Sequence, residues 1–407
     1  MNHYNEIHFQ LLPDFEFHRP AAVKHLPHSV ECGSRWRTNG SSAGWNSEVV
    51  KAANGEHLER KHFYLDIEVS DKNPISQGLY PNETAALTSA LAQTAKENSK
   101  TEISSHRFDR TEVYRIVDLS RCSIPTALIT LNSCSDTDDN RFYPNRDTCG
   151  CSAHSNLELA ILGAIKEALE RQFLLRCWLT KTCSGVISLS EATSALSGRA
   201  SKKILKALSD AGDIAFLDLT DKRFPGRCVL ACYGDDSAKP KPVRFCAGMS
   251  YASDLESALE KSLIELWQTF RYMHSFSSTA KDINAIEDSY LRHFLSCNRY
   301  STYSAMTSVT STSPKCDNEH AQQNFDTATL MRTLKTLKFD GYLYVSTTAC
   351  AESIVYFCKY TSPNLFLHMN NSSHFNLHNR YSQDFQDQFI VEQLNTMVPF
   401  PRQQKKP

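Results

Sequence analysis

The sequence twice sets Glu-x-x-Glu-Arg inside an otherwise apolar helical stretch, at Glu56, Glu59, Arg60 and at Glu167, Glu170, Arg171. Residues three apart share a helix face, so each helix presents a carboxylate pair with an arginine one step round. The second copy belongs to a longer repeat. Asn156-Leu157-Glu158, Ala160 and Glu167-x-x-Glu170 match Asp254-Leu255-Glu256, Ala258 and Glu265-x-x-Gln268 at equal separations. Three strand–loop–helix units of related design are implied, the third with one carboxylate replaced. If the helices are neighbours, Glu56, Glu59, Glu167 and Glu170 converge, and that much buried charge needs cations. Magnesium fits, because it takes oxygen ligands and bridges to phosphates, and the two arginines have the fork that grips a phosphate. No GxxxxGK[ST] occurs in the sequence, so a nucleotide clamp here would work without a Walker loop. The same spacing is also common on solvated helix faces, and by itself it names no reaction.

Apolar periodicity predicts helices over 47–66, with Ser47 as N-cap, over 156–179 and over 254–273. Strands are expected at 112–119, 127–131, 214–219, 228–233, 243–247 and 354–360, with a turn around Ser123-Ile124-Pro125. Residues 1–40 form an N-terminal segment without a clear pattern. The stretch 275–324, rich in Ser and Thr over 301–313, reads as polar surface structure or a loop. The alternation argues an α+β fold with helices packed on β-sheet, in a single domain spanning 1–407 with a Pro-containing tail over 397–407.

The chain has 44 basic and 45 acidic residues, a net charge of −1. That balance leaves no electrostatic footprint for nucleic acid or an anionic membrane surface. The start, Met1-Asn2-His3-Tyr4-Asn5-Glu6, lacks the pattern of a signal peptide, and no apolar run is long enough to cross a bilayer. A cytoplasmic protein is expected, with its 14 cysteines as thiols. Cys149-Gly150-Cys151 with His154 has too tight a spacing and too few ligands for structural zinc, so buried thiols are expected there.

Ala53-Asn54-Gly55-Glu56-His57-Leu58-Glu59-Arg60 resembles the first motif of the YcaO family, a small-residue run ending in GExxER. Gly150-Cys151-Ser152-Ala153, leading to Glu167-Ala168-Leu169-Glu170-Arg171, resembles the second motif, and Ala258 through Glu265 and Gln268 the third. Lys359-Tyr360-Thr361-Ser362-Pro363 and His368-Met369-Asn370-Asn371 are similar to the family's late strand and its Asn pair. Phe142-Tyr143-Pro144, Arg146-Asp147-Thr148-Cys149-Gly150-Cys151-Ser152 and Met397-Val398-Pro399-Phe400-Pro401 narrow the likeness to the YcaO subunits of microcin B synthetases. The likeness covers almost the whole chain.

The resemblance implies a YcaO-type fold and ATP-dependent cyclodehydration. Cys and Ser residues of a ribosomally made precursor peptide would become thiazoline and oxazoline rings through phosphorylation of the backbone amide oxygen. It implies Mg2+ on Glu56, Glu59, Glu167 and Glu170. ATP or phosphate contacts would come from Arg60, Ser152, Arg171, Gln268, Arg271 and Lys359, and Pro399 and Pro401 would have a catalytic part. The implied partners are the precursor with its leader, a leader-binding subunit and an FMN-dependent azoline dehydrogenase; FMN and zinc are expected only in partner subunits. Thioamide formation and a non-catalytic nucleotide-binding scaffold are the alternatives, and the intact glutamates argue against the scaffold. The chain departs from the wider family at Ser155, where Asn is frequent, and at Leu159, where a carboxylate is frequent and Glu158 stands next door. Phe270 replaces the family arginine, with Arg271 one step on, and Lys359 stands where arginine is usual. The chain also continues beyond Pro401 to Pro407.

Overall fold

The computed structural model describes residues 14–18, 25–33, 39–133, 137–239, 241–278, 282–286, 289–312, 324–350 and 353–400. The expected α+β arrangement is present. Strands β1 (Asp14–His18), β2 (His28–Gly33) and β3 (Asn39–Gly44) form an antiparallel sheet, followed by helix α1 (Glu48–Leu65). Next come β4 (Asp71–Pro74), α2 (Pro81–Thr94), β5 (Arg107–Arg115), β6 (Arg121–Pro125), β7 (Cys151–His154) and α3 (Leu157–Thr180). After two short strands, β8 (Thr182–Cys183) and β9 (Gly185–Ile187), follow α4 (Leu189–Ala195), α5 (Lys202–Ala211), β10 (Asp213–Asp218), β11 (Arg227–Gly234), β12 (Phe245–Ala252) and α6 (Leu255–Ser278). The last part holds α7 (Ser289–Ser296), α8 (Tyr300–Thr307), β13 (Thr310–Ser311), α9 (Thr327–Thr336), β14 (Tyr342–Cys350), β15 (Ser353–Thr361) and α10 (Val391–Leu394).

Two larger sheets organise the molecule, one in the order β12-β11-β10-β9 and one in the order β4-β5-β14-β15-β7, with β6 also on β5. Helix α3 packs between them. Its Ala164, Ala168, Phe173 and Leu175 share a core with Leu230 and Tyr251 of one sheet and Cys358 and Tyr360 of the other. A helix with apolar residues all round belongs in such a place. Asn156 caps its start, accepting the Leu159 N–H at 3.0 Å. On the far side of the first sheet lie α4, α5 and α6, packed through Leu205, Leu208, Leu263 and Trp267. The far side of the second is covered by α2 and by Phe63 of α1. The sheet of β9–β12 is thus covered on both faces, which explains why every β12 residue is buried.

Three expectations need correction. Residues 123–125 do not turn: they end β6, which pairs with β5 from Arg110↔Pro125 to Tyr114↔Arg121. Pro125 then stops the strand, because proline has no N–H for the ladder, and Thr126–Leu128 form a short 3-10 turn in place of the expected strand. Residues 275–324 are not merely polar surface. The end of α6, α7 and α8 fall there, and Tyr290, Leu291, Phe294, Leu295 and Met306 are buried. In α7 the apolar residues recur at i and i+4 among polar neighbours, so the composition of the stretch hides two short amphipathic turns. Ser47 occupies the N-cap position of α1 without a side-chain cap bond.

Candidate active site

Strands β3, β7 and β12 each precede a carboxylate-bearing helix, and each lies at the edge of its sheet. An edge strand offers unpaired backbone N–H groups, and the helix carboxylates take them. Ser41 of β3 donates to Glu56 Oε2 at 2.8 Å, and Met249 of β12 donates to Glu265 Oε2 at 2.8 Å, each within its own unit. Others cross between units. The Ala153 amide of β7 bonds Glu59 of α1, and Tyr251 of β12 donates to Glu170 of α3 at 2.8 Å. Gln268 of α6 donates through Nε2 to Ser41 Oγ on β3 at 2.6 Å. The second position of each helix therefore reaches the strand of the next unit, and the third unit reaches back to the first. The three repeats close into a ring. Gln268 fits its place because an amide N–H donates to a hydroxyl where a carboxylate would accept from an amide.

Close contact between strand and helix is built in by glycine. A Cβ on Gly40 of β3 would fall 1.9 Å from Ala53 O of α1, and one on Gly248 of β12 would fall 2.1 Å from the Leu266 nitrogen of α6.

Glu265 joins the four predicted carboxylates, and the repeat in the sequence was the signal for it. Burial raises Glu59 to about 7, although Arg60 opposes it. Burial raises Glu167 to about 8 against Arg171, with Glu59 pushing further upward. Glu265 also rises to about 8, through burial and then Glu170, and Glu170 itself is raised by burial. Burial would lower Arg60, yet Glu59, Glu56 and Glu167 hold its guanidinium charged; Glu167, Glu170 and Glu265 do the same for Arg171. Arg60 lies 3.1 Å from Glu56 and 3.8 Å from Glu59, and Arg171 lies 3.5 Å from Glu167.

The other predicted positions spread around this ring. Lys359 is buried, donates to Asp147 O at 3.2 Å, and acts electrostatically on Glu59. Ser152 on β7 packs against Gly163 of α3. Arg271 is half-buried, with an Nε that finds no hydrogen-bond partner among the described residues. Phe270 stacks on Trp267 at 5.8 Å and meets Tyr233 edge-on, so core packing occupies the position where the family has arginine. Cys149 and Cys151 are buried, and burial raises both thiols far above their ordinary value. Pro399 is buried between Val398 and Phe400, and the Phe400 ring lies over the Arg171 guanidinium at 5.2 Å. Pro401 lies outside the described residues.

The donor set suits magnesium. Among the described residues no three His, Cys, Asp or Glu side chains close around one point. An ion here would complete its shell with water and phosphate oxygens, as magnesium does. The raised carboxylates show that Arg60, Arg171 and Lys359 do not offset burial, so added positive charge is favoured. Arg171 Nη1 is buried with no hydrogen-bond partner among the described residues, and such a donor calls for an anionic oxygen.

Fold and site together define a YcaO enzyme. Residues 52–366 match the family model for YcaO cyclodehydratase, ATP- and Mg2+-binding, and the chain belongs to that family. It is similar to Microcin B17-processing protein McbD of Escherichia coli, at 33% identity over 365 residues, covering 89% of this chain and 90% of McbD. The E. coli Microcin synthetase McbBCD complex holds a chain of TM-score 0.87 and 31% identity, covering 96% of this chain and 98% of that one. The same complex with pro-MccB17 bound holds one of TM-score 0.86 and 32% identity, with the same coverage. Among the described residues no helix is long and apolar enough to cross a membrane.

Proposed function

We propose that this chain is the ring-forming subunit of a microcin B-like azole synthetase, converting Cys and Ser residues of a precursor peptide to azolines. The observation that carries the reading is the ring closed by edge strands β3, β7 and β12, whose amides hold four carboxylates, with Glu167 as a fifth, around two buried arginines. Glu56, Glu59, Glu167, Glu170 and Glu265 would hold magnesium, and Arg60 and Arg171 would grip phosphate oxygens, with Lys359, Ser152, Gln268 and Arg271 around them. When bound, magnesium–ATP supplies the phosphoryl group that turns the amide oxygen, after attack by the neighbouring Cys or Ser side chain, into a leaving group. The residues of the chain supply position and charge; Glu56, Glu59, Glu170 and Glu265 are set before binding by backbone donors that cannot swing away. A silent scaffold would have no use for so many buried, unneutralised carboxylates. The eleven cysteines whose side chains the structure describes are free thiols, which suits a cytoplasmic setting.

The solved relatives are complexes, and one holds pro-MccB17. We assign leader binding and FMN-dependent oxidation of azolines, with FMN and zinc, to partner subunits of this chain. Mass spectrometry of a precursor co-expressed with the chain and its partners tests both assignments. The expected result is loss of one water and two hydrogens per ring with all subunits present, loss of one water alone per ring where the dehydrogenase is left out, and few or no rings from the isolated chain. Efficient processing by the isolated chain would remove the need for the leader-binding partner, and no rings from the complete set would refute the reaction.

The raised carboxylates give a pH signature. Their folded values of about 7 to 8 lie above the ordinary 4.5, so the folded chain binds more protons than the unfolded chain between those limits. Stability of the metal-free chain therefore falls as pH rises through that window. Magnesium needs the ionised form, so affinity for magnesium–ATP rises from pH 6 to about 8.5, with protons released on binding. Calorimetry in two buffers of different ionisation heat measures the protons. Affinity that is flat or falls over this range contradicts the assignment.

A further inference from the structure

A triplet recurs once in each unit of the ring: Gly40-Ser41-Ser42 on β3, Gly150-Cys151-Ser152 leading into β7, and Gly248-Met249-Ser250 on β12. Ser152 and Ser250 stand at the same separation as Glu167 and Glu265, and Ser42 lies one residue nearer to its own first glutamate, Glu56. Each of these serines adjoins an amide of the ring. Ser250 lies between Met249 and Tyr251, which hold Glu265 and Glu170. Ser42 follows Ser41, which donates to Glu56, and Ser152 precedes Ala153, which bonds Glu59. Their side chains face the helices that carry the carboxylates. Ser152 packs against Gly163, one turn ahead of Glu167 on α3. A Cβ on Gly248 would fall 2.4 Å from Ser262 O of α6, and the alternation of a strand puts Ser250 on that same face. Ser42 sits between Gly40 and Gly44, which face Ala53 O and the Val49 side chain of α1.

None of the three hydroxyls has a hydrogen-bond partner among the described residues. Ser42 and Ser152 are half-buried, and Ser250 is only 8% exposed; a hydroxyl so buried normally finds a partner. Packing beside a helix asks only for a small side chain, and glycine or alanine meets that need without leaving a donor unmatched. Ser152 is already among the phosphate contacts assigned above. We propose that Ser42 and Ser250 share its role, so that each unit supplies one hydroxyl and the three donate to phosphate oxygens of the magnesium nucleotide. A hydroxyl turns to suit its acceptor. Being neutral, it holds an anion without offsetting the carboxylate charge on which magnesium depends. This rests on the reading of the ring as a magnesium–nucleotide site.

The test is direct binding of Mg·ATP and of adenosine to the chain in its complex, for the parent, Ser42→Ala, Ser152→Ala and Ser250→Ala, together with the thermal midpoint of each without magnesium or nucleotide. Each Ala variant is expected to lose about tenfold or more in Mg·ATP affinity, the scale of one hydrogen bond to a charged group, and to keep the parent's adenosine affinity. The midpoint should stay level or rise, because alanine fills the same space and removes an unmatched hydroxyl. Parent-like Mg·ATP binding by Ser42→Ala or Ser250→Ala overturns the proposal. A loss of affinity matched by a lowered midpoint assigns the serines to packing and also overturns it, and an equal loss for adenosine overturns the assignment to phosphate. A parent that binds no Mg·ATP overturns the nucleotide reading itself, which separates the two failures. Ser42 is the less buried of the two, so Ser42→Ala carries the test if Ser250→Ala does not fold.

Discussion

Glu167→Gln and Glu170→Gln are each expected to lower ring formation by the assembled complex at least about 100-fold, the scale of losing one preorganised electrostatic contact, while the chain stays folded. An amide side chain keeps the shape and one acceptor oxygen, so after Glu170→Gln it can still accept the Tyr251 N–H that Glu170 takes at 2.8 Å. What disappears is charge. In the metal-free chain that loss carries little penalty, because burial already disfavours the ionised form of both residues. The thermal midpoint without magnesium should therefore stay level or rise. With magnesium and ATP the parent should gain stability by mass action and the Gln variants should gain little. This split separates a ligand role from a structural one, since a structural carboxylate would lose stability in both conditions. Full ring formation by either variant would take Glu167 or Glu170 out of the metal set. Glu265→Gln should follow the same pattern.

The three helices were legible because their apolar period survives the insertion of Glu pairs, and equal separations exposed the relation between 156–171 and 254–268. The closure of the ring was not legible. Glu59 reaching Ala153 and Glu170 reaching Tyr251 depend on which strands lie at sheet edges, and edge position follows from pairing between distant segments, not from local pattern. Gln268 looked like a lost carboxylate; its contact with Ser41 Oγ shows a different bond made at the same place. The strands at 28–33 and 39–44 were missed because Gly, Ser and Asn have weak strand preference, and Gly40 is there for the approach of α1. Helix α7 was missed because its two turns are shorter than the window in which a helical period can be read.

Removing residues 397–407 is expected to cut ring formation about tenfold or more while ATP binding and complex assembly change far less. Removing only 402–407 should change little. The segment up to Phe400 is tied down along its length, unlike an ordinary terminus. Asn371 donates to the Gln393 and Thr396 carbonyls at 2.9 Å each and accepts the Val398 N–H at 3.0 Å. Trp178 donates to Thr396 O at 2.8 Å, His293 Nε2 lies 3.0 Å from Met397 O, and Tyr290 donates to Phe400 O at 3.0 Å. Those bonds seat the Phe400 ring over Arg171, one of the two arginines assigned to phosphate. Burial of Val398 and Phe400 is worth about 1.5–3 kcal/mol each, so the longer truncation also lowers stability, and a second variant has to separate the effects. Phe400→Leu keeps most of the buried apolar area and loses the ring face over the guanidinium, a contact of about 0.5–2 kcal/mol. If the tail sets Arg171, Phe400→Leu should lower ring formation more than it lowers the thermal midpoint, and Pro399→Ala and Pro401→Ala should fall in the same direction. Parent-rate processing by the 397–407 truncation would mean that the tail only completes the core and takes no part in the reaction.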